Sequence, residues 1–184
     1  LPVLRDVMDA GQEPTILALL HGYQAELGRD YLLAVTDPQG NVLACTLGPH
    51  ILAENLASDR GVAAALLNRE ATTIKKLGDK AYQITTVPVA TSHKFWGTLL
   101  LGAPIDDALA RDLQAATGSQ VTFILAAPKG RHPARSGLGA DGIVVGSSWP
   151  PGRCKELQRE LRRVWSATVS GSAGPERGTA CVLK

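Results

Sequence analysis

A chain of 184 residues with 45% hydrophobic and 20% charged content can bury a substantial core and is not a disordered segment. A formal charge of +2 gives no electrostatic argument for a nucleic-acid partner, and no apolar run reaches the roughly 18 residues that a membrane-spanning helix needs. Aromatics make up only 4%, so the core is one of Leu, Val, Ile and Ala.

No signal peptide opens the chain, which begins at Leu1 rather than Met. It therefore reads as a piece of a larger protein, and any flanking membrane helix would lie outside it. Leu1 to Gly28 reads as helix, in two pieces broken near Gly11 and Pro14. Thr15 is placed as an N-cap, Ile16, Leu19, Leu20, Tyr23 and Leu27 fall at helical spacing, and Gly28 closes the element.

Tyr31 to Thr46 is the clearest stretch. The apolar run Tyr31–Val35 meets the turn formers Asp37, Pro38, Gly40 and Asn41, and Val42–Cys45 leaves them. This predicts a β-hairpin in which Asp37 bonds backbone N–H groups ahead of it and Gly40 takes a positive φ. His50 to Asn68 carries two short helical patterns, the second capped by Asp59.

Three strands are then expected, at Ala71–Leu77, Ala81–Val89 and Phe95–Leu101. Gly78 and Asp79 make the first turn, Thr91–Lys94 the second, and Gly102 ends the third strand. Ile105 to Thr117 predicts an amphipathic helix with Asp106 and Asp107 in its first turn and Gly118 just past its end. Strands follow at Gln120–Ala126 and Gly142–Ser147, separated by the Gly-, Pro- and Arg-rich loop Pro128–Gly139. Pro150 and Pro151 open a helix with Leu157, Leu161 and Val164 on its apolar face. Residues 166–184 read as a loop and a last strand cut short. No internal repeat is found. The order predicts one α+β domain over 1–184, a central antiparallel sheet with a long N-terminal helix and flanking helices.

Chemistry-bearing motifs are sparse. Cys45, Cys154 and Cys181 form no CxxC pair. Cys45 reads as a small core residue, and Cys154 and Cys181 could pair in an oxidising compartment if their elements lie side by side. The histidines, at 21, 50, 93 and 132, include no i,i+4 pair, so no metal is expected. No GxSxG, HExxH, Walker-type loop or strand-linked GxGxxG occurs. An enzyme is therefore not expected, no catalytic residue is named, and no cofactor is implied. Eight Lys/Arg against three Asp/Glu lie between Lys129 and Arg163, with Arg159, Arg162 and Arg163 on one helix. Without interleaved aromatics a solvated helix face is preferred to a nucleic-acid surface.

The helix, then LLAVTDPQGNVLACT, a helical insert and YQITTVPVATSHKFWGTLLLGAPID, resembles the extracytoplasmic Cache sensor domains of bacterial receptors. In that pattern Asp37, Gly40 and Val42 match the D-x-x-G-x-V hairpin, and Gly102 and Ile105 match the G-x-x-I step into a helix. SQVTFILAAP and DGIVVGSS resemble the tail of a subgroup of these sensors, so the resemblance covers roughly residues 1–165. The aromatic-Arg-aromatic signature of the amino-acid-binding members is not found. The resemblance implies a PAS-like sheet in a membrane-anchored histidine kinase, diguanylate cyclase or chemoreceptor, on the periplasmic or extracellular side. It also implies a small-molecule ligand between the sheet and the helical insert, and often a homodimer. Polar groups that could converge there are Arg60, Tyr82, Thr86, His93 and Trp96. Tyr82, Ile84 and Thr86 share a face by the period-2 rule, and an Arg beside a Tyr hydroxyl would suit a carboxylate. For each residue alone, a solvated or core role is the simpler reading. The alternative is a cytosolic GAF- or Roadblock-like regulatory module that acts by dimerisation.

Overall fold

Strands form where the apolar and β-branched runs stand: β1 (Leu32–Thr36), β2 (Val42–Cys45), β3 (Ala71–Leu77), β4 (Lys80–Ala90) and β5 (Phe95–Ile105). They make one antiparallel sheet in the order β2-β1-β5-β4-β3. The structure is a computed structural model and describes residues 2–10, 13–28, 30–48, 50–125, 143–153 and 155–160. It divides into two compact units, Leu1–Pro104 and Ile105–Lys184.

In the first unit the alternation of side chains sorts the core onto two faces of the sheet. Leu32, Ala34, Tyr82, Ile84 and Leu100 face one way, and pack with Leu52, Leu56 and Val62 of the segment that follows β2. Leu33, Val35 and Val89 face the other way, with Leu99 and Leu101 against them. That second face is covered by α1 (Pro2–Ala10) and α2 (Glu13–Leu27), through Leu4, Met8, Ile16 and Leu20. The hairpin turn follows its expected chemistry. Asp37 Oδ1 accepts from the backbone N–H of Gln39 and of Asn41, both at 2.8 Å, and Gly40 sits at φ +84°.

Several boundaries differ from expectation, and the structure gives the physical reason for the main ones. The second helix starts at Glu13, so Thr15 is inside it and not its cap; Pro14 stands in the first turn, where a missing N–H costs nothing. The first of the two helical patterns after His50 is not a helix. Its backbone is taken by the hairpin instead, with Val42 N donating to Glu54 O at 2.9 Å and Leu56 N to Gly40 O at 2.8 Å. Only α3 (Arg60–Leu66) is helical, capped by Asp59 as expected. Strand β5 runs through Gly102 to Ile105. Gly102 is a packing residue, since a Cβ there would lie 2.9 Å from the Leu32 Cβ.

In the second unit Asp106 caps α4 (Asp107–Thr117), accepting from Leu109 N at 3.0 Å, so the helix begins two residues later than Ile105. Gly118 ends it in the left-handed conformation, at φ +68°. Strands β6 (Thr122–Leu125) and β7 (Ile143–Ser147) pair antiparallel, and Asp107 Oδ1 accepts from Ser147 N at 2.7 Å. Residues 151–153 and 155–160 are helical. No described helix is long and apolar enough to cross a membrane. The loop Pro128–Gly139, the Leu161 and Val164 face, Arg162 and Arg163, His132, the Cys154–Cys181 pairing and the terminal strand lie outside the described residues.

Two predictions come from this packing. Gly97 has φ +141°, and a Cβ there would lie 1.8 Å from the Thr36 carbonyl oxygen. Gly97→Ala is expected to cost more than about 4 kcal/mol in denaturant unfolding, or to abolish folding. Cys45 is buried in the insert-facing core, and burial pushes its thiol above the ordinary 9.0, against the opposing pull of the Leu47 and Gly48 backbone. The fold therefore favours the neutral thiol. Its stabilisation is complete below the ordinary thiol value and is lost as pH rises through that value toward the raised one. Unfolding measured against pH, taken as the difference from Cys45→Ala, checks the sign. Peptide-mapped alkylation of Cys45 should also be slower in the native protein than in the unfolded chain.

Candidate functional site

The sheet face turned toward α3 carries a polar group of residues at the edge of its apolar core. The β3–β4 hairpin sets the register: Ala71 lies opposite Thr86, Thr73 opposite Ile84 and Lys75 opposite Tyr82. Odd residues of β3 and even residues of β4 therefore share this face. Helix α3 lies across these two strands. Gly61, in its first turn, makes the close approach possible, because a Cβ there would sit 3.0 Å from Thr86 Oγ1 and 3.6 Å from Thr73 Cγ2.

Asp59 fixes that turn with both carboxylate oxygens. Oδ1 accepts from Gly61 N at 3.0 Å and Val62 N at 3.3 Å, and Oδ2 pairs with the Lys75 ammonium. Burial pushes the Lys75 pKa below its ordinary value. Beneath the turn, Thr86 is fully buried, and the hydroxyls of Thr86 and Thr73 find no hydrogen-bond partner. A hydroxyl in that state costs about 1–3 kcal/mol. Further along the same face, Thr36 and Thr98 satisfy each other, with 2.8 Å between their Oγ1 atoms.

The five residues read from the sequence divide between the two faces. Thr86 lies under α3. Tyr82, only 2% exposed, is part of the apolar core on that face. Arg60 is exposed at the first position of α3. His93 is exposed in the Thr91–Lys94 turn, and Trp96 packs against the cluster under α1 and α2. There the Arg5 guanidinium carbon lies 5.8 Å, and the Lys94 Nζ 5.2 Å, from the Trp96 ring centroid. Tyr82, Thr86 and Arg60 thus belong to one side of the sheet and Trp96 to the other. Thr73, Asp59 and Lys75 were not read as site residues. The Gly78–Asp79 turn held the signal, since it fixes which β3 residues face Thr86.

The second unit has a surface concavity of about 360 Å³, lined by Trp149, Arg153, Glu156, Leu157 and Glu160. The Arg153 guanidinium lies 5.1 Å over the Trp149 ring. Among the described residues no group of three His, Cys, Asp or Glu side chains could hold a metal ion.

Comparison with curated proteins returns no match. Among solved structures, the sensor domain of the histidine kinase DctB of V. cholerae superposes with a TM-score of 0.54 at 11% identity, over 88% of this chain and 62% of that one. The likeness is one of fold, and the chain spans about 62% of that sensor domain's length. A domain of an HTR-like protein from Haloarcula marismortui matches at 17% identity and a TM-score of 0.31, over 41% of this chain and 97% of its own. Residues 32–136 match a dCache family, described as the double sensory domain of two-component sensor kinase. With more than half of its 184 residues inside that match, and with the α+β sheet to go with it, the chain belongs to the dCache family of sensory domains of two-component sensor kinases.

Proposed function

We propose that the domain takes a small molecule between the α3-bearing insert and the sheet, on the extracytoplasmic side of a membrane-anchored kinase. The observation that carries this reading is the buried, unpartnered hydroxyl of Thr86, with that of Thr73 beside it. Hydroxyls without partners beneath a seven-residue helix are groups that a polar ligand can satisfy. Arg60 stands at the start of that helix, and its guanidinium would take a carboxylate bidentately. Tyr82 shapes the apolar floor.

Access to Thr86 requires the first turn of α3 to lift, because Gly61 lies directly on it. The insert is then the two-state element, closed by the Asp59 cap and the Lys75 pair and opened by ligand. The signal leaves through α1 and α2 on the opposite face, toward an output domain elsewhere in the parent kinase, and the domain itself carries out no catalysis. A homodimer through the same helices fits this path.

A thermal-shift panel of organic acids, amino acids, amines and nucleobases tests the reading. A ligand at 100 times its Kd adds about 2.7 kcal/mol of stability. Thr86→Val replaces an unsatisfied hydroxyl by a methyl of the same shape. It is expected to stabilise the unliganded protein by about 1 kcal/mol and to remove most of the ligand-induced shift. Arg60→Ala should reduce the shift from carboxylates alone. An undiminished shift in Thr86→Val overturns this site.

A further inference from the structure

The group that could complete Thr86 follows from what already surrounds it. Thr86 is fully buried and its hydroxyl finds no partner, and the Thr73 hydroxyl on the neighbouring strand is in the same state. A hydroxyl both donates and accepts, so each has a proton to give and lone pairs to fill. The two charged groups at this turn are engaged with each other. Asp59 Oδ1 accepts from Gly61 N and Val62 N, and its Oδ2 holds the Lys75 ammonium. A pair so engaged leaves no net charge to balance a third.

The space beside Thr86 is shared with Asp59. The point at which a Gly61 Cβ would stand is 3.0 Å from Thr86 Oγ1 and 3.3 Å from Asp59 Oδ1. A carboxylate that took the Thr86 proton would therefore come beside the Asp59 carboxylate. An ammonium could be received there only by drawing Asp59 away from Lys75 or from the α3 cap. Either case leaves a buried charge without its partner, which costs more than one hydrogen bond returns. A carbonyl oxygen accepts from Thr86 but gives nothing back. A ligand hydroxyl does both with one atom and carries no charge. Ile84 lies opposite Thr73, and with Tyr82 and Val62 it belongs to the apolar core of this face. Such a floor suits the C–H side of a carbon chain or ring that bears hydroxyls.

We propose that the ligand of this site is a polyhydroxylated compound, a sugar or polyol, which meets Thr86 and Thr73 with uncharged hydroxyls. The proposal rests on the ligand reading of Thr86 given above and narrows it to one chemical class. Arg60, exposed at the start of α3, stands at the rim of this floor. It serves a carboxylate where the compound is a sugar acid whose charged end stays outside.

The test follows the amide signals of Gly61 and Val62 in ¹H–¹⁵N spectra of the full chain, since both N–H groups donate to Asp59 and report the first turn of α3. Glucose, sorbitol, myo-inositol and sodium gluconate are titrated beside sodium succinate and putrescine, which carry charge and no hydroxyl, at constant ionic strength. At least one of the hydroxylated probes is expected to move both signals to saturation, and neither succinate nor putrescine is. Thr86→Val keeps the shape of the side chain and should weaken that binding about tenfold or more, with Thr73→Val acting in the same direction. Arg60→Ala should weaken gluconate and leave the neutral probes unchanged. Saturation by succinate or putrescine alone, lost in Thr86→Val, leaves the site in place and overturns the sugar class. Saturation that survives in Thr86→Val overturns the site and the class together. Signals unmoved by every probe mean that water alone serves the two hydroxyls, and they overturn the proposal.

Discussion

The pairing of β1 with β5 is the constraint from which both faces of the first unit derive. Leu32 lies opposite Gly102, Ala34 opposite Leu100 and Thr36 opposite Thr98. This register sends Leu32, Ala34 and Leu100 to the insert face and Leu33, Val35, Leu99 and Leu101 to the helix face. A slip of one residue would exchange the two sets and leave both cores broken. Gly97 lets the pairing continue to its end. It passes so close to the Thr36 carbonyl that no side chain fits, and its positive φ interrupts the alternation. Trp96 and Thr98, two residues apart, consequently serve opposite faces: Thr98 meets Thr36, and Trp96 joins the core under α1 and α2.

The sheet itself is well satisfied, whereas the surfaces where helices dock on it are not. Among the described residues four buried side-chain atoms have no hydrogen-bond partner: those of Thr73 and Thr86 under α3, and those of Arg5 and Trp96 at α1. Each costs about 1–3 kcal/mol, a large share of the stability that a domain retains. Such a distribution makes the helix contacts the cheapest parts of the unit to rearrange, while the sheet stays fixed. A sensory domain needs that division, since a ligand can shift only an equilibrium whose two states lie within a few kcal/mol of each other.

Much of this was legible in the sequence because it rests on local chemistry. The Asp37–Gly40 turn, the Asp59 cap, the Gly118 stop and the order of strands all follow from residues within a few positions of one another. The failures are the places where distant contacts decide. The segment after His50 has helical spacing, but its backbone groups are claimed by the hairpin turn across Gly40 and Val42. Gly102 reads as a stop and is instead a packing gap for Leu32. The site followed the same rule. Tyr82, Ile84 and Thr86 were correctly given one face by period-2 alternation, but that rule carries no information across Gly97. Trp96, expected among the groups that could converge with Thr86, lies beyond that break and packs on the other side. Thr73 and Lys75 were missed because their facing depends on the register of the β3–β4 turn.

The two docking surfaces meet on one strand. Thr86, beneath α3, and Ala90, whose carbonyl accepts from Arg5 of α1, lie four positions apart on β4. Pro88 stands between them without an N–H to give to the ladder. Coupling between sites needs an element whose position alters the contacts on both sides. The end of β4 is the stretch of chain that both surfaces share. Linkage is reciprocal, so any coupling through this strand would act equally in both directions, from the α1 surface to α3 and back.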